Sequence, residues 1–217
     1  SSRLPGKNKL LLGDASLLLR TYRIIRKLEL ITSTIFTSDD DDLINEAISL
    51  GMISAGKRPK YLSKDDSKSI DVVKYLLSWA DKKSWTPDLL LFLQLTSPFR
   101  DFNKIKKAIK IINENKNISG IVSGIFSNDK SEKTIGFSED LLYEKNRKSL
   151  GKYIQADGNF YLLKTKKLLE QNSFFPIGTK VFISSFEEAI DIDYYEDYLK
   201  AVKIYHQINK NKQNVYI

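Results

Sequence analysis

Apolar residues recur at helical spacing over Ser16 to Leu30 (SLLLRTYRIIRKLEL), after an Asp and a Ser suited to capping, which predicts a first amphipathic helix. A strand over Ser33 to Thr37 follows, then helices over Leu43 to Leu50, stopped by Gly51, and over Ser67 to Ala80. Leu89 to Leu95 is apolar on both faces, as a central strand of a parallel sheet reads. A helix over Asn103 to Asn113 and a strand over Ile118 to Phe126 continue the alternation, which predicts an α/β fold: a mostly parallel sheet with helices on both faces.

The rhythm changes after Phe126. Ser127 to Ile154 is polar and lacks firm periodicity, while Gly158 to Leu163 and Thr179 to Ser184 read as strands around a short helix at Lys166 to Glu170. Residues 127–182 are therefore expected to form an inserted, partly antiparallel region within a single domain covering 1–217. A last strand, Ala189 to Ile192, is predicted to feed a closing helix over Tyr194 to Ile208, with a frayed polar tail beyond.

Composition narrows the chemistry. The 217 residues include no Cys and one His, His206, which excludes disulfides, thiolate metal sites and a Cys nucleophile and disfavours a Ser-His-Asp triad. Carboxylates, Lys, Arg and amides must carry any reaction. The net charge is +8, but only seven of the 35 basic side chains are Arg and the lysines are spread along the chain, which reads as a solvated surface more than a nucleic-acid footprint. The most apolar stretch, Asp88 to Leu95, is far short of the ~20 residues of a membrane span, and nothing at the start reads as a signal peptide, so the expectation is a cytoplasmic protein without membrane or nucleic-acid partners.

Three segments could carry chemistry. In SSRLPGKN, Ser1 and Ser2 offer hydroxyl and backbone donors, Pro5 and Gly6 turn the loop and Lys7 adds a point charge; a phosphate cradle and an ordinary surface turn are both open. In IDID, Ile190 to Asp193, strand alternation would put Asp191 and Asp193 on one face, suited either to a hard divalent cation or to a solvent-facing strand end. QLTSPFR, Gln94 to Arg100, leaves the most apolar strand and places Gln94 and a loop Arg where a substrate could be read, or simply makes a turn. The acidic run Asp39 to Asp42 is expected to start a helix. Phe174 and Phe175, if on a strand, would face opposite ways.

In their order and spacing, SSRLPGKN, TSDDDDLI, RPKYLSKDDSKS, QLTSPFR, QADGNFYL, SFFPIGTKVFI and AIDIDYYEDY resemble the acylneuraminate cytidylyltransferases, over nearly the whole chain. The resemblance implies a Rossmann-like nucleotide-diphospho-sugar transferase fold, with a strand and an Arg-containing loop expected before Ser1. It implies an enzyme joining CMP from CTP to a nonulosonic acid with release of pyrophosphate, aided by Mg²⁺ or Mn²⁺. It places Ser1, Ser2, Lys7 and Asn8 at the triphosphate and ribose, Arg58 and Ser69 at the cytosine, and Asp191 and Asp193 at the metal, with Lys7, Asp191 and Asp193 as the catalytic set. Gln94, Asp157 and Tyr161 match sugar-contacting positions, and Lys133, Arg147, Phe174 and Phe175 match residues that reach into the sugar pocket of a second subunit in a homodimer.

The chain departs from the family at three of these places: Ser2 replaces a common Lys, Leu95 a usual Pro, and Asp157 a usual Asn. An ionised Asp157 would repel an acid sugar unless a cation stands close. Sister enzymes acting on legionaminate, pseudaminate or 3-deoxy-manno-octulosonate sugars are alternatives, as are a non-catalytic relative and, more remotely, a basic nucleic-acid-binding domain.

Overall fold

The computed structural model describes residues 3–64, 66–127, 134–136 and 153–210, in two compact units. One holds the described chain up to Thr86 together with the part returning from Ile192; the other is Pro87–Asp191. The second unit is thus inserted, in chain order, between two stretches of the first.

In the first unit a small antiparallel ladder, β1 (Leu11–Leu12) with β2 (Ala15–Ser16), runs into α1 (Leu17–Lys27). The Ser16 hydroxyl accepts from Leu19 N at 3.0 Å, capping a donor that would otherwise be left over at the helix start. Leu17, Leu18 and Ile24 make the buried stripe of this helix. β3 (Ile35–Ser38), α2 (Asp41–Ser49) and β4 (Ile53–Lys57) form a βαβ unit whose strands pair in parallel. The acidic run does start a helix: Asp40 is its N-cap, accepting from the backbone of Asp42 and Leu43, and Gly51 follows its end at φ +86°, a conformation that favours glycine. α3 (Ser69–Asp81) buries Val72, Val73, Leu77 and Ala80.

The second unit is built on one sheet in the order β5 (Leu89–Phe92), β8 (Tyr153–Lys164), β6 (Gly120–Ser127), β9 (Thr179–Ile183), with β7 (Thr134–Gly136) also pairing with β8. β6 and β9 are parallel, and β8 is antiparallel to β5, β6 and β7. The antiparallel strand belongs to the segment expected to break the alternation. α4 (Phe102–Glu114), capped by Asp101, covers β6 and β8, and α5 (Thr165–Gln171) follows β8. Ile105, Ile112, Ile121, Ile154, Phe160, Leu163 and Leu168 are almost fully buried in this core.

The chain closes with α6 (Tyr195–Lys210), which belongs to the first unit: Tyr198 Oη donates to Leu11 O at 2.9 Å, and the Arg20 guanidinium lies over the Tyr205 ring at 5.0 Å. The strand expected over Ala189 to Ile192 does not form; turn and extended chain stand there instead. Ile190 and Ile192 are still buried, at 8% and 0% exposure, so the alternation survives without a partner strand to bond to. No helix of the described residues is long and apolar enough to cross a membrane.

Candidate active site

In the first unit the loop around Gly6 tightens into a short 3-10 helix over Lys7–Lys9, with Gly6 at φ +71°. This turn brings Lys7 Nζ to Asp193 Oδ1 at 2.6 Å, and Arg3 Nη1 donates to Asp193 Oδ2 at 2.8 Å. Lys7 is 15% exposed and Asp193 29%, so the pair is partly screened from water. The guanidinium of Arg3 also lies over the Tyr194 ring at 5.6 Å. Lys9 points elsewhere, to Asp40 and Asp42, which tie the loop to the start of α2; their carboxylates raise the ammonium above its ordinary value, and Lys9 in turn holds the Asp40 carboxyl low.

Arg58 follows β4. Its backbone N–H donates to Ser38 O at 2.8 Å, and its guanidinium reaches Asp39 Oδ1 and Ser63 Oγ, both at 3.2 Å. Arg58 therefore stands at the carboxyl ends of two parallel strands, the edge where open α/β sheets hold ligands. Asn8 lies in the same 3-10 turn as Lys7, and Ser69 is the first residue of α3.

The second unit gathers the other predicted residues around a bulge in β8. Against β6 the register jumps from Val122↔Tyr161 to Gly124↔Ala156, so Ser123 alone faces residues 157–160. Gly158 sits at φ +78° in this bulge, where a Cβ would come within 2.2 Å of Gln94 Oε1 and 3.0 Å of Ser97 Oγ. Glycine is required there because the Gln94 side chain occupies the space.

Inside the bulge Asp157, 7% exposed, accepts at Oδ1 from Ser123 Oγ at 2.5 Å and from Asn159 N at 3.0 Å. Its Oδ2 is buried without a hydrogen-bond partner among the described residues. Asn159 donates through Nδ2 to Phe99 O and to Glu188 O, and Glu188 is held by Lys104 Nζ at 2.5 Å.

Tyr161, 9% exposed, lies beside Phe92 and under Phe174, whose ring stacks on Phe92 at 5.4 Å and 9°. Phe175 meets the Tyr161 edge at 6.4 Å. Burial first, then the neighbouring Asp157 and Asp191 charges, pushes the Tyr161 phenol well above its ordinary value, so it stays a neutral hydroxyl. Phe174 and Phe175 stand in a bend after α5 and not on a strand, which is how both rings reach the same aromatic cluster.

Arg100, which the sequence leaves open as a substrate-reading loop residue or as part of a turn, is 2% exposed. Its guanidinium donates to the carbonyls of Gln94 and Asn159, the latter at 2.8 Å. It binds the site's own backbone, and the surrounding protein seals it from solvent.

Lys7 and Asp193 are thus brought together in one unit, and Gln94, Asp157, Tyr161, Phe174 and Phe175 in the other. Ser1, Ser2, Lys133 and Arg147 lie outside the described residues. Asn159 and Arg100 were missed as site-building residues; the only sequence signal was an Asp-Gly-Asn turn inside an apolar strand. Asp191 and Asp193 offer hard oxygen donors, the type that suits a small divalent cation. Such a cation commonly takes one or two carboxylates and leaves its other positions to phosphate oxygens and water. Asp193 is paired with Lys7 and Arg3, so a cation there has to compete with both side chains.

A parallel-strand edge carrying Arg58 and a Lys-bearing turn in the first unit, and a polar bulge beside an aromatic cluster in the second, are the two candidate groups of binding residues. A cytidylyltransferase family model matches residues 1–217, and the chain belongs to that family. It is 30% identical to an N-acylneuraminate cytidylyltransferase of Escherichia coli O18:K1:H7 along its whole length, and spans about half (52%) of that relative. It is 28% identical to a CMP-N,N'-diacetyllegionaminic acid synthase of Legionella pneumophila, over 89% of this chain and 86% of that one. Among solved structures it resembles a CMP:2-keto-3-deoxy-manno-octonic acid synthetase complexed with CTP, with a TM-score of 0.68 at 13% identity, covering 95% and 94% of the two chains. At that identity the likeness shows the α/β fold shared by these proteins.

Proposed function

We propose that the chain transfers CMP from CTP to an acid sugar of the nonulosonic type, releasing pyrophosphate. The observation that carries this reading is the second-unit cluster of Asp157 and Tyr161 on the bulged strand β8 with Gln94, which follows β5 and packs its side chain against Gly158 of the bulge, at the positions where the sugar contacts of the resembling family fall. In the reaction the sugar's anomeric hydroxyl oxygen attacks the α-phosphorus of CTP, and the phosphorus–oxygen bond to pyrophosphate breaks. Positioning and neutralisation of phosphate charge supply most of such a rate enhancement.

Lys7 is the proposed triphosphate contact and Asn8 the ribose contact, while Arg58 and Ser69 present oriented donors to the cytosine. The Lys7 ammonium, now on Asp193, is suited to move to a phosphate oxygen. Gln94 and Tyr161 offer an amide and a neutral hydroxyl to the sugar. Asp191 and Asp193 would hold a Mg²⁺ or Mn²⁺ ion, which when bound lowers the pKa of the attacking hydroxyl and screens phosphate charge. Phe174, Phe175, Lys133 and Arg147 are proposed to complete the sugar site of a second copy in a homodimer.

The identities to relatives acting on acylneuraminate and on diacetyllegionaminate are close to each other, 30% and 28%, so both sugar types belong in the test. Pyrophosphate release is measured with CTP, Mg²⁺ and a panel of nonulosonic acids plus 3-deoxy-manno-octulosonate. CTP-dependent turnover with at least one of them supports the reading, and absence of turnover with all of them overturns it.

A further inference from the structure

Buried arginines are costly unless every donor and the charge are met, so a guanidinium at 2% exposure beside a substrate site must be held by something specific. Two of the Arg100 donors meet carbonyls that belong to the two arms of the sugar half-site. Nη2 donates to Gln94 O, at the end of the segment after β5, and Nε donates to Asn159 O, in the β8 bulge. Lysine could not make this bridge, because its single ammonium lacks the planar fork that addresses two acceptors at fixed angles.

Arg100 also lies close enough to Asp157 and Asp191 for their carboxylates to support its charge, while burial acts against it and pushes its pKa down to about 10. Asp157 has one oxygen bonded to Ser123 and Asn159 and the other buried with no hydrogen-bond partner among the described residues. Arg100 and Asp157 meet on the same residue: Arg100 Nε donates to the Asn159 carbonyl, and Asp157 Oδ1 accepts from the Asn159 N–H.

Resting on the function proposed above, we infer that Arg100 is a positioning residue for the acid-sugar half-site: it clamps the Gln94 and Asn159 backbones together and supplies the countercharge that lets a carboxylate stand at 157. An anionic sugar then meets a half-site in which the Asp157 charge is already offset from within, and Arg100 does this without touching the sugar. Gly158 is part of the same device, since the clamp seats the Gln94 side chain in the space a Cβ would fill.

The test uses the full chain with Arg100→Lys and Arg100→Met, each alone and combined with Asp157→Asn. In steady-state assays Arg100→Met raises KM for the acid sugar more than tenfold while KM for CTP stays within twofold. This split follows because Lys7, Asn8, Arg58 and Ser69 belong to the other unit. Arg100→Lys, keeping charge but one bridge at most, falls between wild type and Arg100→Met. Urea unfolding supplies an activity-independent reading: Asp157→Asn lowers or leaves unchanged the midpoint of wild type and of Arg100→Lys, which keep the positive charge, yet raises that of Arg100→Met, because a carboxylate stripped of its countercharge is removed.

Parallel losses in both KM values, or an unchanged sugar KM, overturn the positioning role. Additive midpoints in the Arg100→Met, Asp157→Asn double variant overturn the countercharge role, whichever sugar is used. Wild-type protein inactive with every sugar overturns the proposed function, and with it the positioning role, while the urea cycle still decides whether Arg100 compensates Asp157.

Discussion

Lys7 Nζ donates to Asp193 Oδ1 at 2.6 Å, across 186 positions of sequence, and both residues belong to the chain's first unit. A triphosphate competing for Lys7 has to break this pair, and a cation competing for Asp193 has to do the same. The two proposed ligands therefore assist one another, since each releases the group the other needs. Lys7→Ala is expected to lower kcat/KM for CTP on the order of 100-fold, as removal of one charge-stabilising donor does. Asp193→Ala is expected to abolish turnover at low Mg²⁺, and a wild-type rate there would remove the metal assignment. Because Lys7 and Asp193 work as a pair, the double variant should lose less than the product of the single losses.

Gly158→Ala tests the bulge. The substitution places a side chain at φ +78° and drives its Cβ to within 2.2 Å of Gln94 Oε1. The expected cost is about 1–3 kcal/mol of stability from backbone strain, together with a rise in sugar KM as Gln94 is displaced. Thermal unfolding and steady-state kinetics check both, and a stability loss with unchanged sugar KM would separate Gln94 from sugar recognition.

Gly13→Ala is the matched control. Gly13 sits at φ +67°, and a Cβ would fall 2.0 Å from the Tyr205 ring, so the ring must move away. A loss of about 1–3 kcal/mol is again expected, without a selective change in sugar KM.

Stability should fall on acidification. Lys9 holds the Asp40 carboxyl below its usual value, and Lys167 does the same for Glu170. For a carboxyl whose folded pKa is depressed, the unfolded chain binds the proton first, so for Asp40 the stabilisation is present above the ordinary value of 3.8 and is lost as pH falls through the lower folded value. Asp40→Asn should therefore have a lower urea midpoint than wild type at pH 7, and the difference should close toward pH 3. A pH-independent difference would assign the effect to helix capping alone. Both groups are exposed, so the shifts should shrink in high salt.

The helices were legible because each carries its own apolar stripe. α1, α3 and α4 follow from spacing alone, and Asp40 and Gly51 announce the ends of α2. β4 was missed because ISAGK has too few consecutive apolar residues to signal a strand; parallel pairing with β3 makes it one. The opposite error fell on AIDI, where alternation was present but no strand lay alongside to bond with it. For the site, the motifs pointed to Lys7, Gln94, Asp157 and Asp193, whose side chains are polar in suggestive places. The role of Arg100 was not legible, since the sequence leaves that loop either reading a substrate or simply making a turn. Only the fold reveals that the two carbonyls Arg100 bridges lie close together.

The return of the chain to its first unit also bears on how the molecule is made. Leu11 and Gly13 near one end meet Tyr198 and Tyr205 of α6, and the whole of Pro87–Asp191 is synthesised between them. A ribosome therefore finishes the inserted unit before the first can close, and translation reverses the usual order in which earlier domains fold first. Chains interrupted just before Tyr195 would carry the whole of the second unit with the first still unclosed.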